Sequence, residues 1–148
     1  MREKDLNVRV VSNDEIHMSM RGLQALIKPI REKLEHFAQE NGFDKQQIYE
    51  IKLAVNEALA NIIKHAYKGD DVGDIEVSLE TNGLGDLEIA IQDFAEKVDM
   101  AQLVSRDLDK AEDHGLGLYL INSLMDEVEY DLSQEKGTRL ILKKKLNQ

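Results

Sequence analysis

The strongest structural signal in this chain is the stretch Asn56-Glu57-Ala58-Leu59-Ala60-Asn61, which runs on to His65-Ala66-Tyr67. Glu57 and Asn61 stand four residues apart, so a carboxylate and an amide oxygen project from the same side of a helix. An aliphatic stripe at three- and four-residue steps forms the opposite side of that helix: Ile48, Ile51, Val55, Leu59, Ile62 and Ala66. The pattern predicts an amphipathic helix whose apolar side packs on a sheet.

The polar pair on this helix allows two interpretations. A glutamate and an asparagine opposite an apolar stripe usually belong to a solvated helix face. Around this pair, however, the side chains are apolar: Leu53, Ala54, Ala58 and Ala60. A solvated face would carry lysines and glutamates there, so the pattern favours the floor of a pocket. His65, near the end of the helix, is interpreted as a packing or capping residue rather than a catalytic base.

Three shorter blocks follow along the chain, and each is weak alone. Asp93 ends an apolar strand, where it is either a turn aspartate or an acceptor for a ligand N–H group. The block His114-Gly115-Leu116-Gly117-Leu118 opens an apolar helix, whose free N–H groups can bind a phosphate. It matches neither a dinucleotide fingerprint nor a Walker loop. Gly137-Thr138, taken alone, predicts only a hairpin turn. Taken with Glu57 and Asn61, these blocks indicate a ligand that combines a metal ion with phosphates.

The composition narrows the class of protein. The chain has 148 residues, of which 42% are hydrophobic and 32% charged, and this predicts one globular domain over residues 1–148. No apolar run approaches the roughly 20 residues that span a bilayer, and no signal core follows the charged N-terminus. We therefore expect a cytoplasmic protein without a membrane partner.

Charge and cysteine content exclude further classes. The formal net charge is −10, which argues against a nucleic-acid partner and suits a basic protein partner. The absence of cysteine excludes disulfides, thiol catalysis and cysteine-ligated zinc. The basic run Lys143-Lys144-Lys145 is expected on an edge strand, where lysines deter aggregation.

Periodicity predicts an α+β fold, a two-layer α/β sandwich with helices on one face of a mostly antiparallel sheet. The predicted helices cover 15–40, with Pro29 starting a second segment or kinking the first, then 44–67 with Asp44 as the N-cap, and 117–125. The predicted strands cover 6–11, 75–79, 87–91, 128–132 and 138–145. Asn41-Gly42 is expected to end the first helical stretch. Residues 94–114 are predicted to form a functional loop with a short helix near 100–104.

These blocks, in this order, resemble the GHKL ATPase superfamily, which has the Bergerat fold. Within it, the chain is similar to the anti-sigma-factor serine/threonine kinases, and the resemblance covers nearly the whole chain. Its most specific stretches are residues 57–67, residues 115–121 and Leu124-Met125-Asp126-Glu127-Val128.

The resemblance implies an ATP-dependent serine/threonine kinase with Mg²⁺ as cofactor. It implies that Asn61 ligates Mg²⁺ and that Glu57 orients or deprotonates the hydroxyl of a partner serine. Asp93 would accept from the adenine amine, and Thr138 would line the adenine pocket. The remaining nucleotide-site residues that it implies are Ala95, His114, Gly115, Leu116, Gly117 and Leu118, with Arg106 or Lys110 as a phosphate contact from an ATP lid over residues 94–114.

The resemblance also implies partners. The kinase would phosphorylate a small STAS-type anti-anti-sigma protein and sequester a sigma factor or a similar regulatory target. A homodimer through the N-terminal strand and helix is expected from the family.

Two departures from the family pattern leave alternatives open. Ala95 stands where relatives usually have glycine, and its methyl group penalises a positive φ. Asp113-His114 stands where relatives often have another glycine. One alternative is therefore a catalytically weak or inactive relative that acts as a protein-binding switch. A nucleotide-free structural domain is the other, but it gives Glu57, Asn61 and the glycine pair no role.

Overall fold

The computed structural model describes residues 6–12, 15–21, 23–66, 74–95, 116–133 and 135–147, with side chains for 27–64, 74–95, 119–133 and 135–147. Six strands are present in this part of the chain: β1 Leu6–Ser12, β2 Glu15–Arg21, β3 Asp74–Thr81, β4 Leu87–Asp93, β5 Glu127–Asp131 and β6 Arg139–Lys144. The helices are α1 Leu23–Glu40, α2 Lys45–Asn61 and α3 Leu116–Leu124, and a π-helical turn, Ile62–Ala66, follows α2. No helix in the described ranges is long and apolar enough to cross a membrane.

The six strands form one sheet in the order β1-β2-β3-β4-β6-β5, and every neighbouring pair is antiparallel. Side chains alternate between the two faces of a strand, so one face of the central strands is apolar. The residues buried on that face are Ile75, Val77, Leu79, Leu87, Ile89, Ile91, Leu140 and Leu142. They form a single core with the helices, which confirms the predicted α+β sandwich.

The prediction of a helix over residues 15–21 is wrong, because this segment is strand β2. Ile16, Met18 and Met20 alternate with polar residues, which is a two-residue period. β2 pairs along its whole length with β3, with Met18 opposite Val77. The local alternation therefore already indicates a strand, and the long-range pairing with β3 agrees with it.

Helix α1 is continuous through Pro29. Of the two alternatives for this proline, the start of a second helix is therefore wrong, and a kink in the first helix stays a prediction. The end of α1 was predicted correctly. Gly42 adopts a positive φ of 91°, and the Phe43 N–H donates back to the Ala38 carbonyl at 3.1 Å, which is a glycine-terminated helix end. The predicted N-cap is also confirmed, because an Asp44 carboxylate oxygen accepts from the Gln47 N–H at 2.8 Å.

Helix α2 packs against both α1 and α3. Its aliphatic stripe is buried as predicted, with Ile51, Val55 and Leu59 in the core. Because α2 has a helix on each side, its buried surface is wider than that stripe and includes Ala54 and Ala58. The helix ends six residues earlier than predicted, and the π-helical turn continues it.

Strand β6 lies between β4 and β5, so the prediction of an edge strand carrying the lysine run is wrong. Its buried residues are Leu140, Leu142 and Lys144, at two-residue spacing. Lys144 therefore lies on the core face of an internal strand. The lysine-rich composition of residues 143–145 did not indicate that Lys144 is buried on this face.

A close contact between two backbones explains one glycine. Gly137 precedes β6 with a φ of 83°. A Cβ atom at this position would overlap the backbone carbonyl of Asp93 and would lie 3.0 Å from the Phe94 Cα atom. Glycine therefore lets the start of β6 approach the end of β4.

We predict that Gly137→Ala lowers the free energy of unfolding by about 2 kcal/mol or more, through the positive φ and the overlap with Asp93. Urea unfolding measures this difference. Gly83→Ala is the matched control, because a methyl group at Gly83 would meet no atom within 4 Å and the φ of this residue is not positive. Equal stabilities for the two variants would contradict the prediction.

Candidate functional site

Asp93 has its carboxylate at the end of a row of buried side chains on β4. It continues the core face of β4 after Leu87, Ile89 and Ile91, and it is only 4% exposed. Burial raises the pKa of Asp93, while backbone N–H groups of Ala95 and Thr138 oppose that rise by donating to the carboxylate. The Ala95 bond measures 3.1 Å. Two N–H bonds thus hold an acceptor group inside the protein, where desolvation penalises its charge.

Thr138 lies beside Asp93 and carries an unsatisfied hydroxyl. The Asp93 N–H donates to the Thr138 carbonyl at 3.1 Å, and Thr138 is 6% exposed. Its Oγ1 atom is buried and finds no hydrogen-bond partner among the described residues. A buried hydroxyl without a partner costs free energy, so it suggests a group that binds there. Asp93 and Thr138 together present an acceptor and an O–H group to such a ligand.

Glu57 and Asn61 are both half-buried on α2, one turn apart on the same side of the helix. Of the apolar residues predicted to floor a pocket around them, Leu53 is half-buried and Ala60 is exposed. Ala54 and Ala58 point into the hydrophobic core instead. The pair therefore lies at the border between the core and the surface.

One lysine relates α2 and α3 to each other. The Lys144 ammonium donates to the Leu124 carbonyl at the end of α3 and lies 3.2 Å from a carboxylate oxygen of Glu50 on α2. The start of α3 is about 12 Å from Leu124 at 1.5 Å per residue, and Glu57 is about 10 Å beyond Glu50. Helices α2 and α3 pack together. Along its own helix, each of the two polar sites, the first turn of α3 and the Glu57–Asn61 pair, therefore lies at least about 10 Å from the residue that Lys144 contacts.

The remaining predicted site residues are described in part or not at all. Leu116, Gly117 and Leu118 form the first turn of α3. Arg106, Lys110, His114 and Gly115 lie outside the described residues, as does the predicted lid except Phe94 and Ala95. Within the described ranges, no three acidic, histidine or cysteine side chains gather as a metal site.

The sequence analysis did not identify the ion pair between the buried Lys144 and the half-buried Glu50. The signal was the alternation Leu140, Leu142, Lys144, which puts the lysine on the same strand face as the two leucines. This alternation was overlooked because Lys144 was grouped with its two neighbouring lysines as one basic run.

We predict that the stability of the protein relative to Asp93→Asn falls as pH rises. Burial raises the pKa of Asp93 in the folded state above its ordinary value of 3.8. The protonated carboxyl group therefore stabilises the folded state fully below pH 3.8, and this stabilisation is lost as pH rises through the folded-state pKa. Urea unfolding of both proteins from pH 3.5 to 8 measures the difference. Glu129→Gln, at an exposed carboxylate of β5, is the control. A difference that stays constant or grows with pH would contradict the assignment.

Comparison with known proteins identifies the family. The model of the histidine kinase-like ATPase domain matches residues 20–144. A serine-protein kinase RsbW of Bacillus cereus is 33% identical over 141 residues, covering 88% of this chain and 84% of the relative. The serine-protein kinase RsbW of Listeria monocytogenes serotype 4a is 31% identical over 148 residues, covering 92% and 90% respectively.

Solved structures agree with the fold. The RsbU and RsbW domains of a Mycobacterium tuberculosis protein superpose with a TM-score of 0.66 at 21% identity, over 90% of this chain and 33% of that one. The SiaB–SiaC complex of Pseudomonas aeruginosa gives 0.64 at 18% identity, over 84% and 87%. The chain therefore belongs to the histidine kinase-like ATPase family, in which it is similar to the RsbW serine-protein kinases, and it is a protein kinase.

Proposed function

We propose that the chain transfers the γ-phosphoryl group of Mg²⁺-ATP to a serine of a small partner protein. Membership in an ATPase family and the kinase names of its relatives support the reaction class. The observation that carries the proposal is the buried Asp93–Thr138 pair, with its unsatisfied hydroxyl. Phosphoryl transfer depends on positioning and charge neutralisation, and the residues of this site suit those tasks.

The adenine ring binds at Asp93 and Thr138 in this proposal. The Asp93 carboxylate accepts a hydrogen bond from the exocyclic amine, and the Thr138 hydroxyl donates to, or accepts from, the ring edge. The close approach of Gly137 to Asp93 holds both groups in place. Such a polar pair selects a base by its pattern of donors and acceptors, because a mismatched base leaves buried polar groups unpaired.

In this proposal the phosphates bind at the first turn of α3, where the N–H group of Gly117 and the helix dipole favour anions. Gly115, the residue before this helix in the sequence, is proposed as a further phosphate contact. Leu116 and Leu118 belong to this turn, and His114 is proposed as a further nucleotide contact. Residues 94–114 are proposed to act as the ATP lid and to supply Arg106 or Lys110 as a phosphate contact.

Asn61 and Glu57 complete the reaction centre in this proposal. The Asn61 amide oxygen is a hard ligand that suits Mg²⁺, which commonly takes few protein ligands beside phosphates and water. When bound there, the ion neutralises phosphate charge. Glu57, one turn earlier, accepts the proton of the attacking serine hydroxyl, a general-base role that contributes about 10²- to 10⁴-fold.

The partner is a STAS-type anti-anti-sigma protein, and a sigma factor or a similar regulator is the sequestered target. The net charge of −10 favours a basic surface on at least one of these partners. Residues 1–148 act as one cytoplasmic domain, and two copies associate through the N-terminal strand and helix.

A weak or inactive kinase that acts as a binding switch is the second candidate, and Ala95 favours it. This residue stands where relatives usually have glycine, directly beside the Asp93 carboxylate to which its N–H donates. A methyl group there narrows the space next to the adenine acceptor.

We predict that Glu57→Gln retains Mg²⁺-ATP binding but slows phosphoryl transfer by about 10²-fold or more, because the amide cannot accept the serine proton. Calorimetry measures binding, and radiolabelled ATP with STAS-domain proteins from the same organism measures transfer. Glu32→Gln, at an exposed glutamate of α1, is the control and keeps the wild-type rate. Wild-type transfer by Glu57→Gln would refute the base role, and an unmodified chain that binds ATP without transferring it would support the binding switch.

We predict opposite effects of Thr138→Val on stability and on nucleotide binding. Removing the unpaired buried hydroxyl raises the unfolding free energy of the nucleotide-free protein by about 1 kcal/mol. It also weakens adenosine binding about tenfold, since one ligand hydrogen bond is lost. Thermal unfolding and calorimetry measure the two effects, and Thr138→Ser restores binding. A variant that is destabilised and still binds adenosine normally would contradict this role.

A further inference from the structure

Lys144 occupies a place where an aliphatic side chain would be expected. It continues the buried row Leu140 and Leu142 on β6, pairs across the sheet with Leu87, and is 8% exposed. Burying an ammonium group costs free energy unless it is paired and hydrogen-bonded. Here the cost is offset by the Glu50 carboxylate at 3.2 Å and the Leu124 carbonyl.

These two contacts come from two different helices. Glu50 lies in the first half of α2, and Leu124 is the last residue of α3. A cation at a helix C-terminus also interacts favourably with the helix dipole and satisfies a free carbonyl. Lys144 thus connects α2, α3 and the sheet at one point.

Further bonds tie the same end of α3 to β6. The Asp126 N–H donates to the Lys143 carbonyl at 2.9 Å, and an Asp126 carboxylate oxygen accepts from the Lys145 N–H at 2.7 Å. These bonds fix the chain that leaves α3, whereas Lys144 contacts the helix itself. The position of α3 along its axis is therefore set at its C-terminal end.

We propose that Lys144 is a positioning residue for the phosphate-binding first turn of α3. A helix of nine residues is about 13 Å long and moves as a rigid unit, so a shift at Leu124 reaches Gly117. By joining Leu124 to Glu50, Lys144 sets the distance between that turn and the Glu57–Asn61 pair on α2. The inference rests on the proposed function, because it assigns the phosphates to α3.

The test compares Lys144→Met with two matched variants. Methionine keeps the length and apolar stem of the side chain but removes the charge, and replacing a buried ion by an apolar group of similar volume is often tolerated. Lys145→Met changes an exposed neighbour and is the control. Lys144→Arg restores a cation that can reach the same two acceptors.

Two measurements on the full chain distinguish positioning from general stability. Hydrogen exchange of the nucleotide-free protein reports α3 directly, and we expect faster exchange at residues 119–124 in Lys144→Met alone. Calorimetry with adenosine and with Mg²⁺-ADP separates the two ends of the nucleotide. We expect about a tenfold loss of ADP affinity at unchanged adenosine affinity, because a misplaced turn affects only the phosphates, and Lys144→Arg recovers most of it.

The outcomes separate this inference from the proposed function. Wild-type exchange and wild-type ADP affinity in Lys144→Met would overturn the positioning role while leaving the nucleotide site intact. Equal losses of adenosine and ADP affinity would also overturn it, because they indicate general destabilisation. If the unmodified chain binds neither adenosine nor Mg²⁺-ADP, the proposed function fails and the positioning role fails with it.

Discussion

The pairing of β4 with β6 is the interaction on which the rest of the structure depends. These strands are distant along the chain, yet their register joins Leu87 to Lys144 at one end and brings Asp93 beside Thr138 at the other. Gly137 allows this register to continue to the end of β4, because only a residue without Cβ fits against the Asp93 carbonyl. The pairing of β4 with β6 therefore determines the positions of both the buried Asp93 acceptor and the buried Lys144 cation.

The polar groups at the two ends of this pair are compensated by different means. Lys144 is paired within the protein with a carboxylate and a helix carbonyl. Asp93 is compensated in part by two N–H bonds, and the Thr138 hydroxyl has no compensation among the described residues. A buried group that is paired within the protein helps to fix a geometry, whereas an unsatisfied one is available to a ligand. In the proposed function, the end with Lys144 serves structure and the end with Asp93 and Thr138 serves nucleotide binding.

Helix α2 links these ends across the core. Its first half contacts Lys144 and the C-terminal residues, where Gln47 donates to the Lys145 carbonyl at 2.8 Å. Its second half carries Glu57 and Asn61 and then opens into a π-helical turn. Such turns are frequent at functional sites, because they shift the side chains that follow. In the proposed function, the anchoring at one end of α2 fixes the position of the polar groups at the other end relative to the phosphates.

Much of this protein follows from its sequence, because the decisive patterns are local. Several features depend only on neighbours within a few residues along the chain. They are the four-residue spacing of Glu57 and Asn61, the Asp44 cap, the helix end at Gly42 and the hairpin of β3 and β4. The motif order also indicated the family, which the comparisons confirmed. Residues 15–21 carry the two-residue alternation of a strand in their own sequence. Only the tertiary structure decided that β6 is internal and that Lys144 is buried beside two helices. Each of these depends on which distant segment packs alongside, and free energy gained from such long-range pairing and burial outweighs local preference.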